Sequence, residues 1–121
     1  SAGFTPLALA VRTNETDETN TLIEYGASPF AELNTRGETV LTVAFKENNS
    51  EMLGYIVKYS GKKTDIKGNT ILHYAARFAD RATVTRLLSL GLDKTVKNYA
   101  GERPYDIAIS WKNQKIADLL K

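Results

Sequence analysis

No cysteine occurs in the 121 residues, which excludes disulfides, thiolate catalysis and cysteine-ligated zinc without fixing a redox compartment. There is one histidine, His73, and one histidine cannot supply the three or four ligands of a zinc site. No window approaches the ~20 consecutive apolar residues of a membrane-spanning helix. The opening "SAGFTPLALAV" lacks a basic segment and a small-residue cleavage site, so no signal peptide is expected at this start. The sequence has no GxSxG elbow and no HExxH. Its eight glycines are dispersed rather than gathered into a phosphate-binding loop. These absences point away from catalysis.

What is present is ordinary in amount and unusual in arrangement. Hydrophobic residues make up 42% and charged residues 25%, enough for one domain with one core. The net charge of +2 is too weak for strong nonspecific nucleic-acid binding. It is also unevenly spread. Residues 1–60 carry 4 Lys or Arg against 8 Asp or Glu, net −4, and residues 61–121 carry 12 against 6, net +6.

Four stretches repeat: "GFTPLALAV" from Gly3, "GETVLTVAF" from Gly37, "GNTILHYAA" from Gly68 and "GERPYDIAI" from Gly101. The spacings of 34, 31 and 33 residues indicate a stacked-repeat protein. Seven residues after each glycine stands an alanine (Ala10, Ala44, Ala75, Ala108), and four after it Leu7, Leu41, Leu72 or Tyr105. Later in each unit come Leu22–Ile23, Ile56–Val57, Leu87–Leu88 and Leu119–Leu120, preceded by Leu53, Val84 and Ile116 at helical spacing. Thr19 fills that place in the first unit, so its second helix is expected to be the least firmly packed. Each unit therefore reads as helix, loop, helix, turn.

Punctuation supports this reading. Thr5, Thr39 and Thr70 can cap the first helices, and Pro6 and Pro104 suit a first helical position. Gly26, Gly61 and Gly91 stand where a left-handed helix end is wanted. Asn34, Asp65 and Asn98, each three residues before a glycine, can bond to the backbone of a tight turn. The acidic run "NETDET" at 14–19 is expected in a solvated loop.

The pattern G-x-T-P-L-x-x-A, followed by L-L-x-x-G-A-x-P, resembles the ankyrin repeat over essentially the whole chain. The resemblance implies an all-α solenoid of stacked helix-loop-helix units joined by β-turn or hairpin loops. The expected repeats are 3–36, 37–67 and 68–100, with a C-terminal capping repeat at 101–121. It also implies that His73, in the place of the histidine of T-P-L-H, is structural and bonds backbone groups of the neighbouring turn. Ala8, Thr42 and Asp106 occupy the matching positions, so no metal or catalytic set repeats around it.

The function implied by the resemblance is a non-catalytic protein-binding scaffold, monomeric, without cofactor, metal or small-molecule substrate. Its binding surface should be the concave face, lined by turn tips and the outer side of the first helices. Arg36, Glu38, Lys67, Asn69 and Glu102 flank the repeat glycines, and Arg12, Lys46 and Arg77 recur nine residues after them. Stacked at roughly 10 Å, these cations would form a basic stripe, with Phe78 and Trp111 as large anchors near its C-terminal end. An acidic partner segment is the expected ligand. Two other readings stand beside it. One is a regulatory or targeting domain of a larger enzyme, channel or secreted effector, suggested by the start at a unit boundary. The less favoured is a nucleic-acid binder on the same stripe, against which the pI of 8.8 and the interspersed glutamates argue. The cytoplasm is the first choice of compartment, with periplasm or exterior left open.

Overall fold

The computed structural model describes residues 6–30, 38–47 and 49–121. Among these it contains eight helices and no strand: α1 (Pro6–Arg12), α2 (Thr16–Glu24), α3 (Val40–Glu47), α4 (Ser50–Ser60), α5 (Ile71–Phe78), α6 (Arg81–Ser89), α7 (Pro104–Ser110) and α8 (Gln114–Leu120). The first helices form one row, with α1 on α3, α3 on α5 and α5 on α7. The second helices form another, with α2 on α4, α4 on α6 and α6 on α8. Each first helix also packs on its own second helix. The result is an α-solenoid.

The residues that recur in the sequence are those that fill the core. Ala10, Ala44, Ala75 and Ala108 are buried where first helices meet. A larger side chain there would separate the rows, since interiors are packed to crystal-like density. Leu7, Leu41 and Leu72 lie beneath them, and Leu53, Val84, Ile116 and Leu120 seal the second row. Thr19 takes the corresponding place in α2 and is fully buried, and α2 packs on both α1 and α4. The first unit differs less in burial than in chemistry. The Thr19 hydroxyl has no hydrogen-bond partner.

The helix starts follow one device. Thr70 accepts the His73 amide N–H through its hydroxyl, and His73 Nδ1 accepts the Thr70 amide N–H at 3.0 Å. In α3 the Thr42 hydroxyl accepts the Thr39 N–H at 3.2 Å, and the Thr39 hydroxyl accepts the Leu41 N–H at 3.2 Å. In α7 the Asp106 carboxylate accepts the Arg103 N–H at 2.9 Å. Thr42, His73 and Asp106 thus do one job with three chemistries: each supplies the acceptor for the N-cap amide, the returning half of a capping box.

Two expectations are corrected. The acidic run at 14–19 is mostly helix, because α2 begins at Thr16, and Asp17 and Glu18 lie in its first turn. There they complement the positive end of the helix dipole. Gly61 ends α4 in a right-handed conformation, φ −61°, whereas Gly26 and Gly91 are left-handed at +99° and +93°. After α4 the turn closes through Lys63 N–H to the Ser60 carbonyl oxygen, with no left-handed residue at Gly61. Thr5, Asn34 and the glycines at 3 and 37 lie outside the described residues.

Candidate functional site

Two matched turns carry the upper edge of the candidate site. In residues 65–69 the Asp65 carboxylate accepts the Lys67 and Asn69 amide N–H groups, both at 2.8 Å, and the Asn69 side chain at 3.1 Å. In residues 98–102 the Asn98 side-chain oxygen accepts the Ala100 and Glu102 N–H groups at 3.0 and 2.9 Å. The turns are joined. Tyr99 N–H donates to the Lys67 carbonyl at 3.0 Å, and Asn98 Nδ2 donates to Asn69 Oδ1 at 2.8 Å. Ile66 and Tyr99 project from equivalent positions two residues before Gly68 and Gly101, and both are strongly exposed.

Below the turns His73 ties α5 to the next unit. Its Nδ1 accepts the Thr70 N–H, so the proton sits on Nε2, which donates to the Glu102 carbonyl oxygen at 2.7 Å. Burial pushes its pKa down, outweighing the upward pull of that carbonyl and of the carboxylates of Asp65, Glu102 and Asp106. The ring is neutral at pH 7, and both nitrogens are engaged. Burial alone would raise the Asp65 carboxyl, yet the bond donated by the Tyr74 hydroxyl, at 2.5 Å, and those from Asn69 and Lys67 hold it below its usual range. Neither group has the open position that a metal ligand or proton-transfer group requires. Among the described residues no three His, Asp or Glu side chains gather as a metal site.

At the lower edge the guanidinium carbon of Arg77, in the last turn of α5, lies 3.9 Å from the ring centroid of Trp111 and 4.5 Å from that of Phe78. Trp111 follows α7 and is 55% exposed. Arg77 and Trp111 stand in neighbouring units at adjacent repeat positions, so the α5–α7 contact brings them together. A hollow of about 110 Å³ opens between the two helices, floored by Tyr74 and Ile107 and walled by Arg77, Phe78 and Trp111. It continues into a wider hollow under Ile66 and Tyr99, since Asn69 and Ile107 line both. A larger hollow of about 540 Å³ lies at the ends of α4 and α6, lined by Val57, Leu72, Leu90 and Leu92. Lys58, Lys62, Thr64 and Asp93 also border it, and the Thr70 hydroxyl there already receives the His73 amide.

The site residues read from the sequence are distributed unequally. Lys67, Asn69, Arg77, Phe78, Glu102 and Trp111 come together along the two connected hollows. Arg12 is exposed at the end of α1. Lys46, at the end of α3, pairs with Glu38 at 3.3 Å, so part of the expected basic stripe is neutralised within the protein. Phe78 and Trp111 are not bare anchors, because Arg77 covers part of each ring. Arg36 lies outside the described residues. Sequence reasoning missed Tyr74, Ile107, Ile66 and Tyr99. For Tyr74 and Ile107 the signal was available: an apolar or aromatic residue recurs six positions after each glycine, as Leu9, Val43, Tyr74 and Ile107.

Comparison with known proteins agrees with this architecture. The ankyrin-repeat profile matches residues 67–99. The chain belongs to the ankyrin-repeat family. Palmitoyltransferase ZDHHC13 from mouse (Mus musculus) is 32% identical over 89 residues, and the human (Homo sapiens) protein is 34% identical over 89. The match covers 70% of this chain and 14% of those proteins. A solved complex of the Bd0816 predatory endopeptidase from Bdellovibrio bacteriovorus with immunity protein Bd3460 contains a chain that superposes with a TM-score of 0.69. That chain is 29% identical, with 98% of this chain and 63% of that one covered. Ankyrin repeats are in general non-catalytic modules for protein–protein interaction, and none of the helices described here is long and apolar enough to cross a membrane.

Proposed function

We propose that this ankyrin array is a protein-binding scaffold whose partner docks on the face that joins the turn tips to the outer side of α5 and α7. The observation that carries the reading is where the exposed apolar side chains lie. Among the described residues Leu9, Ile66, Tyr99, Ile109 and Trp111 stand on first helices, just past them or at turn tips, and Tyr25, at the end of α2, is the exception. Large apolar groups left in water on one face mark an interaction surface. The mechanism is rigid presentation: capping boxes and linked turns hold the face in shape, so little conformational freedom is lost on docking. Lys67, Arg77, Arg12 and the Lys46–Glu38 pair set its charge, and the partner segment is acidic. The superposition on a chain from an endopeptidase–immunity protein complex supports a role in protein recognition.

Binding measured by surface resonance or calorimetry with a captured partner tests this. Reversing Arg12, Lys46 and Arg77 together should weaken it, and reversing Glu15, Asp17 and Glu18 in and beside α2 should leave it nearly unchanged. The opposite result would move the site to the other face. A second reading has its own support. The match covers only 14% of the length of the palmitoyltransferases, so a similar segment also occurs within a larger enzyme, and this array would then be a regulatory or targeting part of one.

A further inference from the structure

The hollow between α5 and α7 combines one charged group with apolar walls, and its two ends differ. At its lower end Arg77 lies over the Phe78 and Trp111 rings, at 4.5 and 3.9 Å. A guanidinium laid on aromatic faces loses side-chain freedom before any ligand arrives, and its plane fixes the direction of its N–H groups. On its floor Tyr74 and Ile107 offer apolar surface within about 110 Å³. That is room enough for one aliphatic side chain.

The surrounding charge selects the sign of the occupant. Residues 61–121, which form this hollow, carry 12 cations against 6 carboxylates. Of those carboxylates Glu102 lines the adjoining hollow, and three are held in hydrogen bonds within the turns and helix starts. Asp65 takes donors from Lys67, Asn69 and Tyr74, Glu102 takes Asn98 Nδ2 at 3.2 Å, and Asp106 takes the Arg103 amide. The charged residues lining the two connected hollows are Arg77 and Lys67 against Glu102, so an incoming carboxylate meets a lining that is positive on balance.

We infer that this hollow is the specificity subsite of the docking face, reading an acidic side chain of an extended partner segment on Arg77 and a neighbouring leucine, valine or isoleucine against Tyr74 and Ile107. The inference rests on the proposed docking face and narrows it to one chemistry. Arg77 acts by its planar fork as well as its charge, so lysine is not an equivalent substitute.

The test is selection of random heptapeptides displayed on phage against the whole chain, followed by titration of individual peptides. Trp111, the sole tryptophan, reports occupancy of the hollow by its fluorescence. Selected peptides should carry Asp or Glu beside an aliphatic residue and shift Trp111 emission. Arg77→Gln should weaken them by about ten- to hundred-fold, and Arg77→Lys should restore only part of that. Arg77→Lys, which keeps the stem and the charge, also serves as the test if the glutamine variant fails to fold. Peptides that need Phe78 and shift Trp111 but lack an acid, or tolerate Arg77→Gln, would overturn the carboxylate subsite and leave the docking face standing. Peptides that bind without touching Phe78 or Trp111, or no enrichment at all, would overturn the subsite. Binding elsewhere would also count against the face.

Discussion

His73 Nε2 donates to the carbonyl oxygen of Glu102, 2.7 Å away in the next unit, while Nδ1 receives the Thr70 amide of its own helix. One neutral ring closes a helix start and fastens it to the following turn. His73→Ala therefore removes two backbone-directed bonds from a buried setting and should cost about 1–3 kcal/mol, measured by urea unfolding. His73→Gln should recover only part of this, because a single amide cannot hold both bonds with the ring's geometry.

The same ring makes stability depend on pH. Its folded pKa is depressed, chiefly by burial, so the unfolded chain binds the proton more readily and acid favours unfolding. Its contribution is complete above the unfolded value of about 6.5 and is lost as pH falls through the lower folded value. Asp65, also depressed, adds a second loss below about 4. Midpoints measured from pH 7.5 to 5 should fall in the wild type and stay flatter in His73→Ala. Parallel slopes would show that the histidine is not the group responsible.

Gly68 and Gly91 separate two costs that are usually mixed. Both have positive φ, +82° and +93°, but a Cβ on Gly91 meets nothing within 4 Å, whereas on Gly68 it meets the Tyr99 ring at 2.7 Å. Gly91→Ala should cost about 1–2 kcal/mol, the backbone penalty alone. Gly68→Ala should cost clearly more and also disturb the joined turns, visible as lost protection of the Tyr99 amide in hydrogen exchange.

Thr19 gives the opposite sign. Its hydroxyl is buried without a partner, in the place where Leu53, Val84 and Ile116 sit in the other units. Valine has nearly the same shape and no polar atom. Thr19→Val should therefore stabilise the protein by about 1 kcal/mol. A loss of stability would mean that the hydroxyl is satisfied in solution.

The solenoid was legible because its folding demands the same small and apolar residues at fixed offsets, and such residues are easily counted. The capping boxes were less legible, since Thr42, His73 and Asp106 share no chemistry beyond an acceptor atom at the third helical position. The acidic run at 14–19 reads as loop by composition, yet Asp17 and Glu18 are what a helix start favours. The candidate site was half visible. Offsets bring Arg77 and Trp111 to one edge, but whether a cation faces solvent, a ring or a carboxylate depends on side-chain direction, which spacing does not encode. Lys46 illustrates this, because its partner Glu38 lies eight positions away at the base of the same unit.

That pair provides the last prediction. Lys46 is well exposed and Glu38 largely covered, at 67% and 19% of their side-chain surfaces, so the 3.3 Å contact contributes little to stability. Its consequence is electrostatic. Glu38 sets a negative charge on the proposed docking face, against the acidic partner proposed for it. Glu38→Gln should leave the unfolding midpoint nearly unchanged while raising the association rate several-fold at low salt, an advantage that screening removes near 0.5 M salt. Lys46→Ala should do the reverse, since it removes a cation from the same part of the surface. Stopped-flow association with the captured partner reads both. Equal rates for the two variants would show that the partner does not approach this part of the face.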